Sequence, residues 1–194
     1  MLSPKEFVSA WGKNDPLIRF RKRSLEPLAL ADEDKEFLSQ AGLPDSAAPL
    51  LSFTAPKSGE LPTVADQWNQ PEKFRRYRVI GSDGSGNPIA IDEERKGEVV
   101  YLDHDDKFAR TFMNTTVRQL AESLLVYRDM VRDLVATHGE DALQDGVMPP
   151  KARKQLHQQL KKIDPALREA LKKESYWLTE QTIANAIKGL EVRQ

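Results

Sequence analysis

An α+β fold, a mostly antiparallel sheet packed by helices with a C-terminal helical extension, is what this 194-residue sequence predicts. Three observations carry the prediction. A capped amphipathic helix stops at Gly42-Leu43-Pro44. Short segments rich in Val, Ile, Tyr and Phe then follow as far as Met113, joined by turn-forming residues. A long periodic helix opens at Asn114. Helix, strands and helix in that order place an antiparallel meander between two bracing segments.

The first helix starts at Ser3. In Ser3-Pro4-Lys5-Glu6 the hydroxyl and the carboxylate satisfy orphan amides reciprocally, and Pro4 presets the helical φ. Phe7, Val8 and Trp11 form its apolar stripe and Gly12 ends it. Residues 17–31 read as irregular, with a candidate strand at Leu28-Ala29-Leu30. Asp32 is placed to cap a second helix that runs to Ala41 and buries Phe37, Leu38 and Ala41; its acidic start complements the helix dipole. Gly42 suits the left-handed residue after a helix end, Leu43 the hydrophobic contact with Leu38, and Pro44 blocks further helix.

Residues 45–72 are rich in loop formers around a strand expected at Leu50–Thr54, with Trp68 in an exposed-looking context. Four extended segments come next: Phe74–Ile80, Pro88–Asp92, Glu98–Asp103 and Phe108–Met113. Their connections, Ser82–Asn87 and Glu93–Gly97, favour hairpins. Thr116 with Gln119 forms a second capping box. Val117, Leu120, Ala121, Leu124, Leu125, Val131, Leu134 and Val135 recur at helical spacing, and His138-Gly139 ends the helix.

Residues 139–148 form an acidic linker. After Pro149-Pro150 the composition turns Lys- and Gln-rich: Ala152, Leu156, Leu160 and Ile163 make one helical stripe, and Asp164-Pro165 restarts a helix. Tyr176, Trp177, Ile183, Ile187 and Leu190 mark a last one. We therefore divide the chain into an α+β domain, 1–138, and a linker with helical extension, 139–194, too small to bury a core alone and expected to dock on the first part.

Twenty-nine Lys and Arg against thirty Asp and Glu leave a net charge of −1, which argues against an obligate nucleic-acid coat or a binder of anionic membranes. Without cysteine there is no disulfide framework, thiolate nucleophile or Cys-type zinc site. Met1-Leu2-Ser3-Pro4-Lys5-Glu6 has no apolar leader core and no apolar run approaches a membrane span, so a cytoplasmic location is expected.

Compact catalytic motifs are absent: no His-Glu-x-x-His, no Gly-x-Ser-x-Gly, no Gly-x-Gly-x-x-Gly. No enzyme, cofactor or metal is expected. Asp103-His104-Asp105-Asp106 lacks calcium-loop spacing and reads as a solvated turn; Asp83–Asn87 lacks the downstream Glu and reads as a hairpin connection. Lys73-Phe74-Arg75-Arg76-Tyr77-Arg78 is the strongest basic and aromatic cluster, able to stack bases and hold phosphates, or to pair with Glu93, Glu94 and Glu98. Arg19-Phe20-Arg21-Lys22-Arg23 is similar in kind.

Several segments together resemble the SUKH superfamily, which includes the yeast cell-wall-synthesis regulator family and many bacterial immunity proteins. They are Phe37–Pro44, Tyr77–Gly84 with its Ile-Gly step, Ile89-Ala90-Ile91-Asp92, Gly97-Glu98-Val99 and Phe112–Thr116. Thr115-Thr116 stands where serines are usual, and the likeness covers roughly residues 25–135. The resemblance implies an α+β binding protein with no catalytic residues to carry over: an antitoxin that blocks a protein toxin, often a nuclease. An acidic surface would then cover a basic substrate groove, and charge alone nominates Glu93, Glu94, Asp103, Asp105 and Asp106 as partner-binding residues. The alternatives are a scaffold docking a host protein through the Trp177 helices, and, further off, a nucleic-acid-binding protein or an enzyme.

Overall fold

The computed structural model describes residues 1–13, 15–57, 59–138, 149–170 and 176–178; the expected linker 139–148 and Ile183, Ile187 and Leu190 lie outside them. Helix α1 spans Pro4–Trp11, β1 Leu17–Ile18, α2 Lys22–Leu25, α3 Asp32–Gln40, β2 Leu43–Pro44, β3 Ser46–Ala47, β4 Leu51–Phe53 and α4 Val64–Gln67. Strands β5 Tyr77–Asp83, β6 Pro88–Asp92, β7 Glu98–Asp103 and β8 Ala109–Asn114 follow, then α5 Val117–His138, α6 Pro150–Ile163 and α7 Leu167–Ala170. β3 to β8 form one six-stranded sheet in which each strand pairs antiparallel with its sequence neighbours. β1 and β2 make a separate two-stranded ladder. The fold is α+β.

The meander is punctuated by aspartates. β5, β6 and β7 end at Asp83, Asp92 and Asp103, and each carboxylate accepts the backbone N–H two residues on: Ser85 at 2.9 Å, Glu94 at 3.2 Å and Asp105 at 3.0 Å. The side chain thus mimics the missing ladder partner and turns the chain. The sheet buries both faces. Ile80, Ile89, Ile91, Val99 and Met113 join the large core formed with α1, α3, α5 and α6. Tyr77, Val79, Ala90, Val100 and Leu102 form a second core under α4, Phe74 and Phe108.

Several boundaries differ from expectation. Residues 28–30 are not a strand: the preceding residues form α2, and Leu28 and Leu30 are buried in the core. Asp32 is the first residue of α3 rather than its cap; Ala31 stands there without a side-chain hydrogen bond. β5 starts at Tyr77 because Glu72–Phe74 makes a 3₁₀ turn that buries Phe74 beside Phe108, their rings 5.6 Å apart. It then runs past the expected end at Ile80 through Gly81-Ser82-Asp83, so that Ser82 and Asp83 of the expected connection belong to the strand. A Cβ on Gly81 would meet the Ser52 carbonyl oxygen at 2.3 Å, so glycine there permits the close approach of β4. Phe108 lies in the turn before β8, and Trp68 is half-buried edge-on to it, at 6.2 Å, not exposed.

Gly42 carries two constraints. Its φ is +80°, and a Cβ would meet the Ile18 carbonyl oxygen at 2.1 Å. Gly42 N–H bonds the Phe37 carbonyl at 3.0 Å, while Leu38's carbonyl accepts from Phe20 N–H at 3.0 Å. The Gly-Leu-Pro segment therefore ends α3 and also starts β2, which pairs with Leu17 and Ile18.

The described residues after Pro149 reach the same core: Leu156, Leu160, Leu167 and Trp177 belong to the large cluster. Asp164 is the polar clasp. Its carboxylate, buried, accepts from Thr115 N–H at 2.7 Å, Thr115 Oγ1 at 3.0 Å and Ala166 N–H at 3.1 Å. The expected cap for the restarting helix thus also holds the start of α5. Trp177 Nε1–H donates to the Met113 carbonyl of β8 at 3.1 Å.

Candidate protein-binding surfaces

The five nominated acidic residues fall into two groups. Glu93 and Glu94 lie in the β6–β7 connection, whereas Asp103 ends β7 and Asp105 and Asp106 lie in the β7–β8 connection. In an antiparallel meander these are opposite ends of β7, about 17 Å apart at about 3.4 Å per residue. They do not make one patch.

Glu93 and Glu94 are also engaged. Arg78 Nε donates to Glu93 at 2.6 Å, and Ala29 N–H donates to the other Glu93 oxygen at 3.2 Å. Arg76 pairs with Glu94 and holds Asp92 through two contacts of 2.8 and 2.6 Å. Asp92 is fully buried. Arg110 Nε, at 3.6 Å, and Arg95, at 3.9 Å, also face it, and Arg110 reaches on to Glu98. The Asp92 hydrogen bond raises the Arg76 pKa, and Arg76 lies over the Tyr77 ring at 5.1 Å. Arg75, in the turn rather than on the strand, pairs with Asp66 and Glu72. The basic segment is thus neutralised from within, by the Glu93 and Glu94 that its sequence context offered together with Asp92, Glu60, Asp66 and Glu72, whereas the third expected partner, Glu98, pairs with Arg110 instead. The signal for Asp92 was its place at the end of an apolar strand, where an unpaired carboxylate would be costly.

At the far end, Asp105 and Asp106 are exposed, whereas Asp103 bonds the turn amides of both, at 3.0 and 3.3 Å. His104 donates its backbone N–H to Asn87 Oδ1 at 2.9 Å, tying this turn to the Asp83–Asn87 turn. Tyr101 adds its hydroxyl to Asp83 at 3.1 Å; burial and then that carboxylate push its pKa up. Among the described residues no group of three or more His, Asp or Glu side chains could hold a metal ion.

The second basic segment behaves differently. Phe20 is buried, while Arg19, Arg21, Lys22 and Arg23 are exposed and make no ion pair among the described residues. Tyr176 and Trp177 are buried against Tyr101 and Tyr127, with ring centroids 5.0 and 5.8 Å apart, so these rings serve the interior rather than an external partner.

A family model described as "SUKH-4 immunity protein" matches residues 2–180, sheet and C-terminal helices alike. No curated protein and no solved structure matches the chain. No helix among the described residues is long and apolar enough to cross a membrane.

Proposed function

The chain belongs to the SUKH-4 immunity protein family, and from that premise we propose that it is a non-catalytic cytoplasmic antitoxin that neutralises a bacterial toxin by binding it directly. The family match over residues 2–180 carries this reading. The mechanism is stoichiometric occlusion. A carboxylate-bearing turn covers the basic substrate groove of the toxin, most readily a nuclease, and charge complementarity speeds encounter. Of the nominated residues, Asp105 and Asp106 present exposed carboxylates, that of Asp105 beside His104 Nε2 at 3.4 Å, and Asp103 shapes their turn. Glu93 and Glu94 form a separate contact point, already held by Arg78 and Arg76.

Co-expression with its cognate toxin should restore growth. Reversing Asp105 and Asp106 to Lys should slow association at least tenfold and flatten its salt dependence. Full protection by the double variant would remove this turn from the interface, and no protection by the unmodified chain would overturn the antitoxin reading.

A further inference from the structure

A second surface carries opposite charge. Between α1 and α3 runs an open groove of about 640 Å³ lined by Pro4, Lys5, Val8, Ser9, Lys13, Arg19, Ser39 and Gln40. Lys5, Lys13 and Arg19 are exposed, and among the described residues none makes an ion pair. No carboxylate is among the described residues lining it. On the same elements Glu6 bonds the Ser3 backbone and hydroxyl and Asp34 pairs with Arg118; Asp32 and Glu33 lie at the opposite end of α3 from Ser39 and Gln40, and the exposed Glu36 accepts from the Gln40 amide at the groove wall. Three like charges converging on a concavity concentrate positive potential, and Pro4 and Val8 supply apolar wall beside them.

We infer that this groove docks an acidic peptide segment of a protein partner, its carboxylates on Lys5, Lys13 and Arg19 and an aliphatic side chain against Val8. Two observations favour a peptide over nucleic acid. The aromatic residues of this region, Phe7, Trp11 and Phe20, are all at most 2 % exposed, so none can serve as a stacking platform for bases. The groove, of about 640 Å³, has room for a few residues of peptide. An anionic membrane fits less well, because the only exposed large hydrophobic residue among those described is Met1. The inference stands apart from the antitoxin reading, since it concerns a different face and needs no toxin.

Fluorescence anisotropy of the full chain tests it with a fluorescein-labelled peptide of six Asp and Glu residues around a central Leu, and with a single-stranded oligonucleotide of equal charge. The peptide should bind with salt-sensitive affinity and the oligonucleotide more weakly. The triple variant K5E/K13E/R19E should lose at least tenfold in peptide affinity. A charge-matched variant on α6, K151E/R153E/K154E, should stay within twofold. Circular dichroism confirms that each variant is folded, and an unfolded groove variant is replaced by K13E/R19E with the same expectation. Equal losses in both variants, no binding of the peptide, or tighter binding of the oligonucleotide at the same residues would each overturn the proposal. Because the assay contains no toxin, its failure leaves the antitoxin reading standing, and failed growth protection leaves this one standing.

Discussion

Around Asp92, three arginines converge on one buried carboxylate; around the groove between α1 and α3, three cations have none among the described residues. The two basic segments, 73–78 and 19–23, look alike in composition. Strand register separates them. Tyr77 pairs opposite Asp92, which brings Arg76, its neighbour, onto the carboxylate, and Asp92 pairs opposite Glu98, which completes the set with Arg110. Residues 19–23 instead cross from β1 into α2, where the sheet brings no acidic strand beside them. A cluster of cations is thus an interior strut or an open surface according to what tertiary pairing lays next to it, and the two should respond differently to the same kind of change.

Asp92→Ala should cost most. It leaves Arg76 and Arg110 facing a buried gap and removes a turn cap, so urea unfolding should show a loss of about 3 kcal/mol. A loss below about 0.5 kcal/mol would mean that the network is ornamental and the contrast false. Asp164→Ala removes another fully committed carboxylate, leaving Thr115 N–H without its acceptor. About 2 kcal/mol should disappear, and the near-ultraviolet signal of Trp177 should change as the C-terminal helices loosen; an unchanged signal would show that Asp164 does not hold them.

The groove variant K13E/R19E should unfold within about 0.5 kcal/mol of the parent, as exposed and unpaired side chains do. A loss approaching that of Asp92→Ala would reveal a hidden pairing and erase the comparison. The smallest effect concerns the cations of α6. Burial, then Lys161 and Arg153, hold the His157 imidazole below its ordinary value. The unfolded chain therefore binds that proton more readily. The stability is fully present above the ordinary imidazole value of about 6.5 and is lost as pH falls through it towards the lower folded value. His157→Gln should flatten the decline in stability across that interval; an unchanged slope would assign it to other groups.

The sequence revealed the fold wherever a local rule decides. Ser3-Pro4-Lys5-Glu6 caps α1 with both reciprocal bonds, at 3.3 and 2.8 Å, and Pro88–Asp92 and Glu98–Asp103 are strands with the expected limits. It was less legible where a residue answers to distant chain. Gly81-Ser82-Asp83 has turn composition yet pairs with β4 and β6. The short β1 exists only because Gly42 lets it approach α3's end. α4 was legible in principle, since Thr63-Val64-Ala65-Asp66 is a cap whose hydroxyl accepts from Asp66 N–H at 3.1 Å. The surfaces were hardest. Charge nominated Glu93, Glu94, Asp103, Asp105 and Asp106 as a cluster, but hairpin connections alternate between sheet ends, so the meander itself divides them.

Titration calorimetry of the folded chain against the toxin it is proposed to neutralise tests the central claim most directly, with toxin activity followed in the same samples. A one-to-one complex whose formation abolishes activity in proportion to the toxin bound is the expected result. A toxin that stays fully active, with no heat of binding, beside an excess of folded protein would contradict it.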